Sequence, residues 1–125
     1  MSLYIVLEKK VPGFEPIIDG KALGRFEKEL AEIAERCGVQ PLMSFFSTNV
    51  DDASEFLQNE GLADVEVPEE QWFPPQDGLR TVEALLREIA NVPELADVRT
   101  DLLAFQNVLR RALERGIRWH LAIDF

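Results

Sequence analysis

The hydrophobic pattern is most regular near the two ends of the chain. Over residues 116–125 the apolar positions alternate with more polar ones, which is the period of a strand with one buried face. Those apolar positions are Ile117, Trp119, Leu121, Ile123 and Phe125. The comparable segment is Leu-Tyr-Ile-Val-Leu at residues 3–7. We therefore predict that a strand from each end of the chain pairs with the other, and that the residues between them pack on the apolar face of the pair.

Helical periodicity dominates between these strands, because apolar residues recur there at spacings of three and four. One predicted helix follows Asp19, a candidate N-cap, and ends at Gly38, where a left-handed residue is expected. Another is capped by Asp77, and the longest ends at Gly116. The inward-facing residues of these helices are Leu23, Phe26, Leu30, Ile33 and Cys37, then Leu79, Val82, Leu86 and Ile89, then Leu95, Val98, Leu102, Phe105, Leu109 and Ala112.

The middle of the chain is less regular. Residues 39–49 are apolar without periodicity, which is compatible with a short strand, a turn of helix or a core-filling loop. Asp52 and Glu55 have the spacing of a capping box, so a short helix is predicted from there to about Gly61. Within residues 62–68 the alternation Val-Glu-Val favours a brief edge strand beside the terminal pair.

These elements predict one α+β domain over residues 1–125, mainly helical, with about four helices packed on a small sheet made from the N- and C-terminal strands. The strands are expected to be antiparallel because the helices between them tend to reverse the chain. A length of 125 residues suits a single domain, and a single cysteine, Cys37, excludes an internal disulfide. Neither a secretory signal nor a membrane-spanning apolar run is present, so we expect a cytoplasmic protein.

Negative charge is concentrated in residues 51–77, which we call the acidic segment. No lysine or arginine occurs between Arg36 and Arg80, and the acidic segment contributes nine units of the net charge of −10. Its acidic residues are Asp51, Asp52, Glu55, Glu60, Asp64, Glu66, Glu69, Glu70 and Asp77. Nucleic acid and anionic membranes require a basic face, so this distribution argues against both as partners.

Trp72 and Phe73 stand out within a proline-rich loop that ends the acidic segment. Two interpretations are open: the aromatic pair packs back on the domain and anchors the loop, or it is exposed as an anchor for a partner. The acids likewise either serve solubility or intramolecular docking against the basic end of the last helix, at Arg110, Arg111 and Arg115, or they form a recognition surface. Under the second interpretation the partner-binding residues are Asp64, Glu66, Glu69, Glu70, Trp72 and Phe73.

Few residues could carry catalysis, and no catalytic residue is predicted. His120 is the single histidine, and Asp124 on the same strand face lies roughly 13 Å away, too far for a hydrogen-bonded dyad or a shared metal ion. No metal-ligand spacing and no glycine-rich phosphate loop occurs, so neither metal nor cofactor is expected. The alternative that stays open is a ligand cleft assembled across the sheet from Tyr4, Glu8, His120 and Asp124.

Three segments of the sequence carry a resemblance: Leu-Tyr-Ile-Val-Leu-Glu near the start, Gln-Trp-Phe-Pro-Pro-Gln-Asp-Gly-Leu-Arg-Thr-Val before a helix, and Arg-Trp-His-Leu-Ala-Ile-Asp-Phe at the end. With them the chain resembles, over nearly its whole length, a family of small uncharacterised bacterial proteins, a domain of unknown function. Its last two helices and final strand are also faintly similar to the YfbM-like family. The resemblance implies a bacterial, cytoplasmic α+β domain and no catalytic residue.

The function expected from these observations is that of a noncatalytic protein-interaction module with an acidic face for a basic protein partner. The alternative is a small enzyme or ligand-binding domain with a cleft near His120 and Asp124. A homodimer formed through sheet edges is a further association that so short a sheet allows.

Overall fold

The computed structural model describes residues 1–16, 18–48, 55, 57–61 and 69–125. Its strands are β1 (Ser2–Leu7) and β2 (Trp119–Asp124). Its helices are α1 (Lys21–Arg25), α2 (Glu27–Cys37), α3 (Pro75–Ile89) and α4 (Ala96–Arg115), with 3-10 turns at Leu42–Phe45 and Pro93–Leu95. Glu55 and residues 57–59 are also helical, as the capping-box spacing predicts, whereas Asp52 and the Val-Glu-Val alternation lie outside the described residues.

The predicted pairing of the terminal strands is confirmed. β1 and β2 are antiparallel, in a register that places Ser2 opposite Asp124 and Leu7 opposite Trp119. One face of the pair is buried against the helices and carries Leu3, Ile5, Trp119 and Leu121, each at most 3% exposed. We call the opposite face the outer face; alternation places Tyr4, Val6, His120 and Asp124 there.

Two short segments border the second edge of β2. The backbone amide of Phe73 donates to the carbonyl of Trp119 at 2.8 Å, and the Trp119 amide donates to the Phe73 carbonyl at 3.0 Å. The Ser47 amide donates to the carbonyl of Leu121 at 3.1 Å. The sequence left three structures open for residues 39–49. As far as Thr48, the segment forms a turn of 3-10 helix followed by a single bridge at Phe46. β2 is thereby paired along both of its edges.

Trp119 lies at the centre of the core, with no exposed surface. Its ring centroid is 5.0 Å from that of Phe45, and its Nε1 donates to the carbonyl of Pro74 at 3.3 Å. Helix α3 approaches closely because Gly78 faces the indole; a Cβ at that position would overlap the ring. The three contacts join β2 to segments distant in sequence.

Two predicted helix starts are wrong. The helix expected after Asp19 is divided at Phe26 into α1 and α2, and the residue before α1 is Gly20, in a left-handed conformation, with no side-chain cap. Helix α3 begins at Pro75, so Asp77 lies within the first turn and is not its cap. Proline fits a first helical position because the amide that it lacks would be unpaired there. The predicted helix ends at Gly38 and Gly116 are confirmed.

Asp101 of α4 takes the place of the missing α1 cap. Its Oδ2 accepts hydrogen bonds from the backbone amides of Ala22 at 3.1 Å and Leu23 at 3.3 Å, and the residue is 7% exposed. Burial raises the pKa of Asp101 above its usual value, against the lowering effect of the backbone amides. The side chain of Asp101, within the apolar stripe of α4, therefore caps the N-terminal end of α1.

No helix in the described part of the chain is long and apolar enough to cross a membrane.

Candidate functional site

His120, the single histidine, lies on the outer face of the sheet and is 2% exposed. β1 places Val6 opposite it. By the alternation of the strand, its same-face neighbours are Ala122 within β2 and Arg118 just before β2 begins. The residues that cover it come from the loop before α3.

Both ring nitrogens of His120 face hydrogen-bond acceptors. Nδ1 is 3.0 Å from the carbonyl oxygen of Leu121, and Nε2 is 2.8 Å from Oε2 of Glu70. Which of the two nitrogens donates depends on the tautomer of the ring. With both nitrogens engaged in this way, the imidazole has no free position from which to accept a proton from a substrate.

Residues 70–74, which we call the strap, hold this arrangement against the sheet. Trp72 lies on the imidazole, with ring centroids 4.7 Å apart, and is partly buried. The next residue, Phe73, packs inward with its ring edge-on to Phe45 at 5.4 Å. The Gln71 amide donates to Oγ of Ser47 at 2.8 Å. The aromatic pair thus anchors its loop, the first of the two interpretations drawn from sequence, while part of Trp72 is still exposed.

The four residues of the predicted cleft are not assembled into one site. His120 is bonded to Glu70, and Glu8 is bonded to Arg118 by two hydrogen bonds of 2.6 and 2.9 Å. Tyr4 and Asp124 do come together, in a shallow pocket of about 330 Å³. The other residues lining that pocket are Ser2, Pro16 and Ile18.

The Glu8–Arg118 pair lies at the surface. The guanidinium of Arg118 lowers the pKa of the Glu8 carboxyl group, and the carboxylate in turn raises the pKa of Arg118. The Arg118 side chain is 54% exposed, so solvent screens the attraction and the pair contributes little to folding.

Within the described ranges, the acidic segment is largely unneutralised. Glu70 is the member bonded to a basic side chain, that of His120. The other described members, none of which forms an ion pair with a described residue, are Glu55, Glu60, Glu69 and Asp77. The predicted residues Asp64 and Glu66 lie outside the described residues.

The arginines at the end of α4 have other contacts. Arg110 is 3.9 Å from Glu83 of α3, and Arg111 lies over the ring of Phe14 at 4.5 Å. Among the residues with described positions, these arginines therefore form no ion pair with the acidic segment.

Three further features bear on chemistry. The Cys37 thiol is partly buried, and burial together with neighbouring Glu88 raises its pKa, the opposite of what a reactive thiol requires. No group of three metal-ligating side chains is found in the described portion of the chain. A groove of about 760 Å³ lies between β1 and the loop that follows it.

Two partners were not predicted from the sequence: Glu70 for His120 and Asp101 for α1. Glu70 is 50 residues from His120, and nothing local distinguishes it from the other acids of its segment. Asp101 did leave a signal, because it stands within the inward-facing stripe of α4, next to Leu102. An acid in such a stripe requires buried donors.

Replacing Glu70 with alanine is expected to lower the free energy of unfolding by about 1–2 kcal/mol, because the hydrogen bond between its carboxyl group and Nε2 of His120 is then lost. The matched control is Glu69→Ala, a change at the exposed neighbouring acid, for which we expect a loss below about 0.5 kcal/mol. Urea unfolding followed by tryptophan fluorescence measures both. Equal losses for the two variants would show that the carboxylate of Glu70 does not fasten the strap.

Comparison with family models, with curated proteins and with solved structures found no match to this chain.

Proposed function

We propose that this protein is a noncatalytic interaction module of the bacterial cytoplasm, whose acidic segment binds a basic protein partner. The observation that carries the proposal is the unbroken sign of the charge: nine acids and no lysine or arginine between Arg36 and Arg80. A surface that serves solubility alone tolerates interspersed lysines. A surface that steers a cationic partner is weakened by each of them.

The contacts of the acidic segment support this proposal. Glu60 and Glu69 are exposed and form no ion pair with any described residue. Carboxylates without an internal partner keep their full attraction for an approaching cation. Trp72, partly exposed at the end of the segment, adds an aromatic surface of the kind that interfaces use as anchors.

The geometry of His120 favours this function over the alternative of a small enzyme. A general base needs a ring nitrogen that faces the reacting group, at about 2.6–3.2 Å. In this protein one nitrogen faces Leu121 and the other faces Glu70, under the indole of Trp72. These contacts suit a residue that fastens a loop.

The test compares two triple variants that change the net charge equally. In one, Glu60, Glu69 and Asp77 are replaced by the corresponding amides; in the control, the exposed acids Glu29, Glu32 and Glu35 of α2 are replaced by glutamine. Basic proteins captured from a bacterial lysate at low and moderate salt are identified by mass spectrometry. The association rate of each purified binder is then measured with the wild type and both variants.

We expect association with the acidic-segment variant to be about tenfold slower, and less dependent on salt, because local charge steers the encounter. The α2 variant should associate nearly as fast as the wild type. Equal losses in both variants would reduce the effect to net charge and refute a specific face. Failure of the wild type to retain any basic protein at low salt would refute the proposal altogether.

A further inference from the structure

We propose that the pocket between Tyr4 and Asp124 binds the side chain of an arginine of the basic partner, an inference that rests on the proposed function. The register of the sheet creates this pocket. Ser2 lies opposite Asp124 and Tyr4 lies opposite Ala122, so the phenol ring and the carboxylate stand on neighbouring positions of the outer face. Tyr4 is 38% exposed and Asp124 is also exposed, so both are accessible to a partner.

The lining of the pocket matches each part of an arginine side chain. Pro16 and Ile18 supply apolar walls for the aliphatic stem, which long basic side chains bury while the charged end stays polar. Tyr4 offers a ring face on which a planar guanidinium stacks. The carboxylate of Asp124 accepts two parallel hydrogen bonds from the same group. Lysine fits the pocket less well, because its compact ammonium group neither stacks as a plane on the ring nor forms two parallel hydrogen bonds with the carboxylate.

The charge around the pocket is complementary to a cation. Among the described residues, no lysine or arginine lines the pocket and none forms an ion pair with Asp124. By contrast, the other carboxylate of the predicted cleft, Glu8, is already occupied by Arg118. The carboxylate of Asp124, which no described basic residue pairs with, is therefore open to an external guanidinium.

The pocket also lies on the same face as the end of the acidic segment. Asp124 is four residues from His120 along β2, roughly 13 Å in a strand, and His120 is bonded to Glu70 of the segment. About four residues of extended peptide span that distance. One partner segment can therefore place an arginine in the pocket while its neighbouring basic residues lie along the acidic segment.

The experiment is a titration of the ¹⁵N-labelled protein with N-acetyl-arginine amide, followed by amide chemical shifts. N-acetyl-citrulline amide has the same shape as the arginine compound but no charge. N-acetyl-lysine amide carries the charge but lacks the planar guanidinium group. We expect saturable shifts at Tyr4, Ala122 and Asp124 with the arginine compound, at least threefold weaker binding of the lysine compound, and no binding of the citrulline compound. Shifts scattered over all exposed acids would overturn the inference.

Variants of the pocket residues test whether the arginine compound binds at this site. Asp124→Asn and Tyr4→Leu are each expected to weaken binding of the arginine compound at least fivefold. The control Asp97→Asn changes charge equally at an exposed acid in the first turn of α4 and should leave binding unchanged. Thermal unfolding of each variant checks that it is folded. An affinity that Asp124→Asn does not change would refute the role of this carboxylate.

The same variants separate this inference from the proposed function. If a basic partner binds Asp124→Asn as tightly as the wild type but binds the acidic-segment variant more slowly, the pocket inference is wrong and the proposed function stands. If the arginine compound binds the pocket but the two triple variants associate with every captured protein alike, the role of the acidic segment is wrong and the arginine site stands.

Discussion

Replacing Trp119 with alanine is expected to lower the free energy of unfolding by about 3–5 kcal/mol. The residue has no exposed surface, so its loss removes a large apolar contact and leaves a cavity between Phe45 and α3. The backbone of Gly78, shaped to meet the indole, cannot move in to fill the space without displacing α3. The bond from the indole nitrogen to the Pro74 carbonyl is lost as well.

Urea unfolding monitored by far-UV circular dichroism measures this loss without depending on either tryptophan. Trp72→Ala is the matched control, because Trp72 is only partly buried and packs on the outer face. We expect it to cost about 1–2 kcal/mol. A loss below about 1 kcal/mol for Trp119→Ala would contradict the position of the core on this face of the sheet.

Replacing Asp101 with alanine is expected to cost about 1–3 kcal/mol, because the buried amides of Ala22 and Leu23 then lose their acceptor. Asp101→Asn keeps an oxygen that can accept both bonds, so its cost should be smaller. Amide hydrogen exchange at Ala22 and Leu23 should accelerate in Asp101→Ala and stay close to wild type in Asp101→Asn. Unchanged exchange in the alanine variant would show that Asp101 does not cap α1.

The carboxyl group of Asp101 also makes stability depend on pH. Its pKa in the folded protein is raised, chiefly by burial, above the ordinary value of 3.8, so between the two values the folded state binds more protons than the unfolded state. The contribution of Asp101 to stability is therefore greatest below about pH 3.8 and falls as the pH rises through the folded-state pKa. Above the folded-state pKa, the contribution of Asp101 to stability no longer changes with pH.

Urea unfolding of the wild type and Asp101→Asn at intervals between about pH 3 and pH 7 isolates this effect, because asparagine does not titrate. The stability of Asp101→Asn relative to the wild type should rise with pH across the lower part of this range and then level off. A relative stability that falls with pH would mean that the backbone amides outweigh burial at this carboxyl group.

The parts of the fold that sequence predicted are those that depend on local repetition. The alternation in β2 identified Trp119 and Leu121 as inward, because a strand turns successive side chains to opposite faces. The helix ends at Gly38 and Gly116 followed from the left-handed backbone that glycine adopts without steric cost. Both are properties of a few consecutive residues.

The failures at Asp19 and Asp77 have a different origin. Asp19 has the right chemistry for a cap, but Gly20 directs the backbone so that the α1 amides meet Asp101 instead. At Asp77, the preceding prolines start α3 three residues early. The residue types near a helix start identify candidate caps. Which candidate is used depends on the position of the neighbouring helix, as for α1, or on prolines that start the helix earlier, as for α3.

The sequence by itself determined the α+β class, the pairing of the chain ends and the concentration of negative charge between Arg36 and Arg80, because each depends on residue order and type alone. Only the tertiary structure decided which of the described carboxylates are paired. It joins Glu70 to His120 and Glu8 to Arg118, and it places Asp124 beside Tyr4, where no described residue pairs with its carboxylate. The physical reason is that hydrogen bonds and ion pairs act over a few ångströms, and residues up to 110 positions apart come within that range only when the sheet closes.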